Sequence, residues 1–170
     1  MKAQRENPAS KKNLRRAIYP GTFDPITNGH VDLITRSLAS FDEIIILIAH
    51  SSKKPVFTPQ ERMKLIQQSF KNDPRIKIDI IDGLLADYAK RVGVSVVLRG
   101  LRAISDFEYE FQMATMNKRL HPKLETLFLM ASENNFFVNS TLVKEVCSHG
   151  GDISTLVPPH VEKSLKEKLC

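Results

Sequence analysis

A chain of 170 residues and 19.3 kDa, 42% apolar and 26% charged, has the size and balance of one globular domain rather than a disordered or membrane-embedded protein. Its longest apolar run, 44–49, is too short to cross a bilayer, and the N-terminus carries no apolar core of a secretion signal, so a cytoplasmic protein without membrane contact is expected. The formal charge of +6 is concentrated in the first sixteen residues, which hold Lys2, Arg5, Lys11, Lys12, Arg15 and Arg16 against Glu6, so the body has no polyanion footprint and no nucleic-acid partner is expected.

Residues 1–15 read as a flexible basic tail and 16–170 as a single domain. From Arg16 onward short β-rich runs alternate with segments of helical period, the pattern of a parallel sheet covered by helices on both faces. Strands are expected at 16–19, 43–50, 75–80, 94–98 and 125–130, giving a doubly wound five-stranded α/β sheet. The unbroken run from Ile44 to Ile48 suits a strand buried on both faces. Ile76, Ile78 and Ile80 alternate with Lys77 and Asp79, which suits a position nearer an edge.

Helices are expected at 29–39, 84–92, 140–149 and 159–169, with Gly150-Gly151 as a stop. Two more announce their starts. Thr58-Pro59-Gln60-Glu61 offers an N-cap, a first-turn Pro and a capping-box Glu, with Met63, Ile66 and Phe70 as the buried stripe. Ser105-Asp106-Phe107-Glu108 repeats that logic, with Phe107, Phe111 and Ala114 on one face and Glu110 away from it. Cys147 and Cys170 form neither a CxxC pair nor a His/Cys cluster, so free thiols are expected and no structural metal.

The chemistry concentrates first in Tyr19-Pro20-Gly21-Thr22-Phe23-Asp24-Pro25-Ile26-Thr27-Asn28-Gly29-His30. Ligands of open parallel sheets bind beyond the carboxyl ends of strands, where this loop would lie, and the N–H groups opening the next helix attract phosphate. Gly21 and Gly29 permit close approach, Thr22 offers a hydroxyl, and His30 in the first helical turn can donate to charge developing on phosphorus. Neither GxGxxG nor GxxxxGK[ST] occurs, which removes support for hydride transfer and for P-loop hydrolysis.

The Thr27-x-Gly29-His30 element resembles the HxGH signature of the nucleotidyltransferase superfamily, with Thr27 replacing the first His. Together with Ser51-Ser52-Lys53-Lys54-Pro55, Arg99-Gly100-Leu101-Arg102-Ala103, Asp106 to Glu110, Leu127 to Met130 and Leu142-Val143-Lys144-Glu145-Val146, it resembles the bacterial phosphopantetheine adenylyltransferase family over nearly the whole chain. The resemblance implies a Rossmann-like nucleotidyltransferase fold. It also implies transfer of the adenylyl group of ATP to 4′-phosphopantetheine, giving dephospho-coenzyme A and pyrophosphate.

By the same resemblance His30 supports the α-phosphate transition state. Thr22, Phe23, His30, Gly100, Leu101, Arg102, Glu110 and Asn135, Phe136, Phe137, Val138, Asn139, Ser140 and Thr141 lie along ATP, while Thr22, Lys53, Leu85 and Arg99 meet phosphopantetheine. It further implies Mg²⁺ carried with ATP, a homohexamer, and coenzyme A as a feedback ligand. The chain departs from the family pattern at Asn135, where an aromatic is often found nearby, and at Val138-Asn139-Ser140-Thr141, where Ile-Ser-Ser-Ser is common.

Other readings stay open on the residues alone. Lys53 and Lys54 suit a solvated turn, Arg99 and Arg102 suit surface positions beside a helix, and Glu110 suits a pair with Lys or Arg. The functional alternatives are a nucleotidyltransferase with a different phosphorylated acceptor and a non-catalytic nucleotide-binding module.

Overall fold

Parallel strands cannot be joined by tight hairpins and need long crossovers, which the alternating sequence supplies. The computed structural model describes residues 14–50, 55–134 and 136–170. In chain order its elements are β1 (Arg16–Gly21), α1 (Asn28–Ser37), β2 (Glu43–Ala49), α2 (Pro59–Ser69), β3 (Ile76–Ile81), α3 (Leu85–Val92), β4 (Val96–Leu101), α4 (Ile104–Leu120), β5 (Glu125–Met130), α5 (Ser140–Ser148) and α6 (Pro159–Leu169). The strands form one parallel sheet in the order β3-β2-β1-β4-β5, the Rossmann-like α/β arrangement expected.

Burial follows the sequence pattern. Ile44, Ile45, Ile46, Leu47 and Ile48 are all buried in β2, between β1 and β3, and the alternating β3 takes the edge. One sheet face packs Ala17, Tyr19, Ile44, Ile46, Ile48 and Leu98 under α1, α2, α5 and α6. The other packs Ile18, Ile45, Leu47 and Val97 against Tyr88 and Ala89 of α3.

Three expectations are corrected. β4 is shifted forward, so Arg99 and Gly100 belong to the strand and do not follow it; they pair with Phe128 and Leu129 of β5, and this long-range ladder is invisible to local propensity. In α2 the buried residues are Arg62, Leu65 and Ile66, with Met63 and Phe70 only half-buried at the margin. Helix α4 is turned about its axis: Phe107 and Phe111 are exposed and Glu110 is buried. It also starts one residue before Ser105, with Ala103 at its N-cap. An apolar stripe defines a helix face but not the partner it meets, and here Arg99 draws Glu110 to the sheet.

Candidate active site

The strand order reverses between β1 and β4, which are neighbours through Ile18 and Val97, so their carboxyl ends open onto the crevice of the fold. The loop leaving β1 is tightly built. A Cβ on Gly21 would lie 2.8 Å from the Phe23 ring, so only glycine fits under that side chain. Phe23 itself has a φ of 50°, a strained value for a bulky residue, and its ring is buried against Tyr19 and His30.

Behind this loop lies a buried polar network. The Arg62 guanidinium, 1% exposed, donates from Nη1 to the Thr22 carbonyl at 2.9 Å and the Ala49 carbonyl at 3.4 Å, and from Nε to the Phe57 carbonyl at 2.9 Å. The buried Asp24 carboxylate accepts from the Val56 and Phe57 N–H groups at 3.0 and 2.8 Å and pairs with Lys144 of α5 at 3.0 Å. Ser140 at the start of α5 donates to the Pro25 carbonyl at 2.7 Å. The loop after β1 is thus tied to the strand-end segment after β2 and to α5. These groups make ligand-free hydrogen bonds that satisfy one another, as buried polar atoms must.

His30 is fixed in direction and in proton position. The Thr27 backbone N–H donates to His30 Nδ1 at 3.0 Å, and the Thr27 hydroxyl lies 2.9 Å from the same nitrogen. Because Nδ1 accepts, the neutral ring carries its proton on Nε2. Burial first, then the charges of Arg102 and Arg99, lowers the imidazole to about 4. At neutral pH His30 is therefore an uncharged donor. Thr27 thus orients the His30 ring through its backbone N–H and its hydroxyl.

Arg99 faces this group from β4. Its Nε and Nη2 donate to the two oxygens of Glu110 at 2.6 and 2.5 Å, and Nη1 donates to the Pro20 carbonyl at 2.7 Å. Burial alone would lower the Arg99 pKa, but the hydrogen bond and charge of Glu110 outweigh it and the net shift is upward. Tyr19, pushed up to about 12 by burial against the opposing pull of Arg99 and Arg102, stays a neutral phenol between the two halves of the site. Arg99 is thus tied to the end of β1 through Nη1, while its two parallel donors are taken by the Glu110 carboxylate.

The remaining sequence-selected residues are placed as follows. Thr22 is exposed at the loop tip, Gly100 and Leu101 end β4, and Arg102 pairs with Asp106 at 3.1 Å. Leu85 opens α3 and is half-buried. Val138 is buried, Phe136 and Phe137 are exposed with their rings edge to face, and Thr141 is exposed. Asn139 is the N-cap of α5, accepting from the Leu142 N–H at 2.8 Å, so its departure from the family pattern serves the helix start. Lys53 and Asn135, like residues 1–13 of the basic tail, lie outside the described residues. Sequence reading missed Asp24, Arg62 and Lys144. An Arg following Glu61 at the helix start reads as solvated, and only its carbonyl partners reveal otherwise.

Residues 18–146 match the model of the cytidylyltransferase-like family, and the chain belongs to it. The fold agrees: a solved structure described as a nicotinate-nucleotide adenylyltransferase from Vibrio parahaemolyticus superposes with a TM-score of 0.65 at 19% identity, covering 91% of this chain and 96% of that one. Within the class, the chain is 52% identical over 156 residues to a phosphopantetheine adenylyltransferase of Anaeromyxobacter dehalogenans (strain 2CP-C), covering 91% of this chain and 95% of the relative. It is 52% identical over 154 residues to the enzyme of that name from Thermotoga neapolitana, covering 90% and 96%, and 49% identical to that of Dictyoglomus thermophilum, covering 90% and 94%. It is a member of the phosphopantetheine adenylyltransferase family.

Proposed function

We infer that the chain transfers the adenylyl group of ATP to 4′-phosphopantetheine, releasing pyrophosphate and forming dephospho-coenzyme A. The observation that carries this reading is that His30, with its proton held on Nε2 by the Thr27 N–H, and the Arg99 guanidinium, held by Glu110 and the Pro20 carbonyl, lie near enough at the ends of β1 and β4 for the charge of Arg99 to act on the imidazole. The acceptor phosphate is already an anion and needs no general base; the protein must align two anions and offset their repulsion. Arg99 receives the acceptor phosphate and fixes its direction, with Lys53 adding charge and Leu85 an apolar contact to the pantetheine arm. Thr22 and His30 meet the phosphates of ATP, and the His30 Nε2–H donates to charge that grows on the α-phosphate as pyrophosphate leaves.

Gly100, Leu101 and Arg102 and the segment from Asn135 to Thr141 line the nucleotide. Here the reading of Glu110 is sharpened: its carboxylate is bound to Arg99 and serves the acceptor side at least as directly as the nucleotide side. Mg²⁺ accompanies ATP in this reading. No cluster of three His, Cys, Asp or Glu groups lies among the described residues, and Glu110 is committed to Arg99, so no protein ligand for the ion is assigned and no step is routed through it.

α4 leaves Phe107 and Phe111 exposed on one side and Tyr109, Met113 and Met116 on another, and these large apolar side chains support burial against further copies in a homohexamer. Coenzyme A, which shares the pantetheine arm with the acceptor, is the feedback ligand of the same site. No helix among the described residues is long and apolar enough to cross a membrane, and the use of ATP as a substrate supports a cytoplasmic location.

The test is pyrophosphate release from ATP or CTP with a panel of phosphorylated acceptors that includes 4′-phosphopantetheine, nicotinamide mononucleotide and glycerol 3-phosphate. Release with ATP and 4′-phosphopantetheine alone is expected. Release with another acceptor only, or none at all, overturns the reading in favour of a different transferase or a binding module.

A further inference from the structure

Away from the crevice, the two cysteines of the chain meet. Cys147 stands in the last turn of α5 and Cys170 caps the end of α6, 23 positions later, yet their sulfurs are 3.4 Å apart. The Cys170 thiol also donates to the Cys147 carbonyl at 2.9 Å. This is not the chance approach of a loose tail. Two residues earlier, Lys168 is held by both carboxylate oxygens of Glu61 at 2.8 and 2.9 Å and by the Val56 carbonyl at 3.1 Å, and the Cys170 N–H is bonded to the Lys166 carbonyl.

A disulfide needs its sulfurs about 2.05 Å apart, so a movement of about 1.4 Å, within reach of a turn of the exposed Cys170 side chain, would close the bond. The two thiols also divide the labour of exchange. Cys147 is 1% exposed and Cys170 is exposed, so an oxidant meets Cys170 first and Cys147 second. Burial, then the Cys170 hydrogen bond, pushes the Cys147 thiol up to about 11, which keeps it protonated and inert until its neighbour is activated.

We propose that Cys147 and Cys170 form a thiol–disulfide modification site that takes a low-molecular-weight disulfide as oxidant and locks the end of α6 to α5. In the first step the Cys170 thiolate attacks one sulfur of the small disulfide, forming a mixed disulfide and expelling one small thiolate. In the second, Cys147 loses its proton to water and attacks the Cys170 sulfur, forming the internal bond and expelling the second small thiolate. Two protein thiols are oxidised and one small disulfide is reduced to two thiols. Cys147 is eight residues from the Asn139 cap, about 12 Å along the helix, so the lock joins the C-terminal ends of α5 and α6.

The experiment treats the full reduced chain with oxidised glutathione, blocks remaining thiols with N-ethylmaleimide after denaturation, and reads intact mass and a non-reducing peptide map. The expected product has lost two hydrogens, carries no maleimide and contains a peptide joining positions 147 and 170. Its thermal midpoint rises by several degrees, returns on reduction with dithiothreitol, and does not rise in Cys170→Ser, a change at an exposed position that preserves the fold. A stable end product with glutathione on Cys170, chains joined to each other through Cys170, or two maleimide-reactive thiols after treatment would each overturn the proposal.

Discussion

The two halves of the crevice are built on opposite plans. The loop from Thr22 to His30 is held by buried and local bonds: the Phe23 ring under Gly21, Arg62 on the Thr22 carbonyl, Asp24 on two backbone N–H groups and Lys144, and Thr27 on the His30 ring. The β4–α4 half is held by charge. Its buried contact is the Arg99–Glu110 pair, and the rest of α4 presents aromatic and Met side chains outward. The first half is closed by contacts within one chain and fixes the His30 ring in direction. The second holds its guanidinium with a carboxylate, on a helix that leaves aromatic and Met side chains exposed.

The comparison can be broken first at His30. His30→Ala should lower kcat on the order of a hundredfold or more while ATP still binds, as for loss of a donor to transition-state charge; an unchanged kcat in pyrophosphate-release assays would remove His30 from the chemistry. Arg99→Lys should raise the acceptor KM by about tenfold with a smaller effect on ATP, because an ammonium cannot keep both the Glu110 pair and a directed phosphate contact. Equal effects on the two substrates would mean that Arg99 does not distinguish them.

Stability measurements sharpen the contrast. Glu110→Ala leaves a largely enclosed guanidinium without its partner and should cost about 2 kcal/mol in urea unfolding, below the fully buried case because Arg99 is 30% exposed. Asn139→Ala removes only the cap of α5 and should cost about 1 kcal/mol. A larger loss at Asn139 than at Glu110 would reverse the assignment of which half depends on charge.

The last test concerns pH. The folded protein holds His30 near 4, below its ordinary 6.5, so the unfolded chain takes up the proton first on acidification. The contribution of the neutral ring is complete above 6.5 and is lost as pH falls from there toward 4. Unfolding curves of the parent and His30→Gln across that window should converge at low pH. Parallel curves would show that the ring is not buried as a neutral group.

Much of the molecule was legible in the residues themselves. The Ile44 to Ile48 run and the alternating isoleucines of β3 set their own depth in the sheet, since side-chain period and burial are local properties. The Thr58 capping box formed as written, with Glu61 returning a bond to the Thr58 N–H at 2.7 Å. The loop before α1 could be read as a candidate phosphate site because turn residues and a helix start need no distant partner to form. The limits of β4, the burial of Arg62 and the rotation of α4 depended on residues far along the chain. Arg99 and Glu110 could be read as reactive types from sequence, but only the sheet, by placing β4 beside β1 and beneath α4, decided that one holds the other. Periodicity tells which residues share a face. Which surface that face meets is a matter of long-range electrostatics and packing, and that was settled by the tertiary structure.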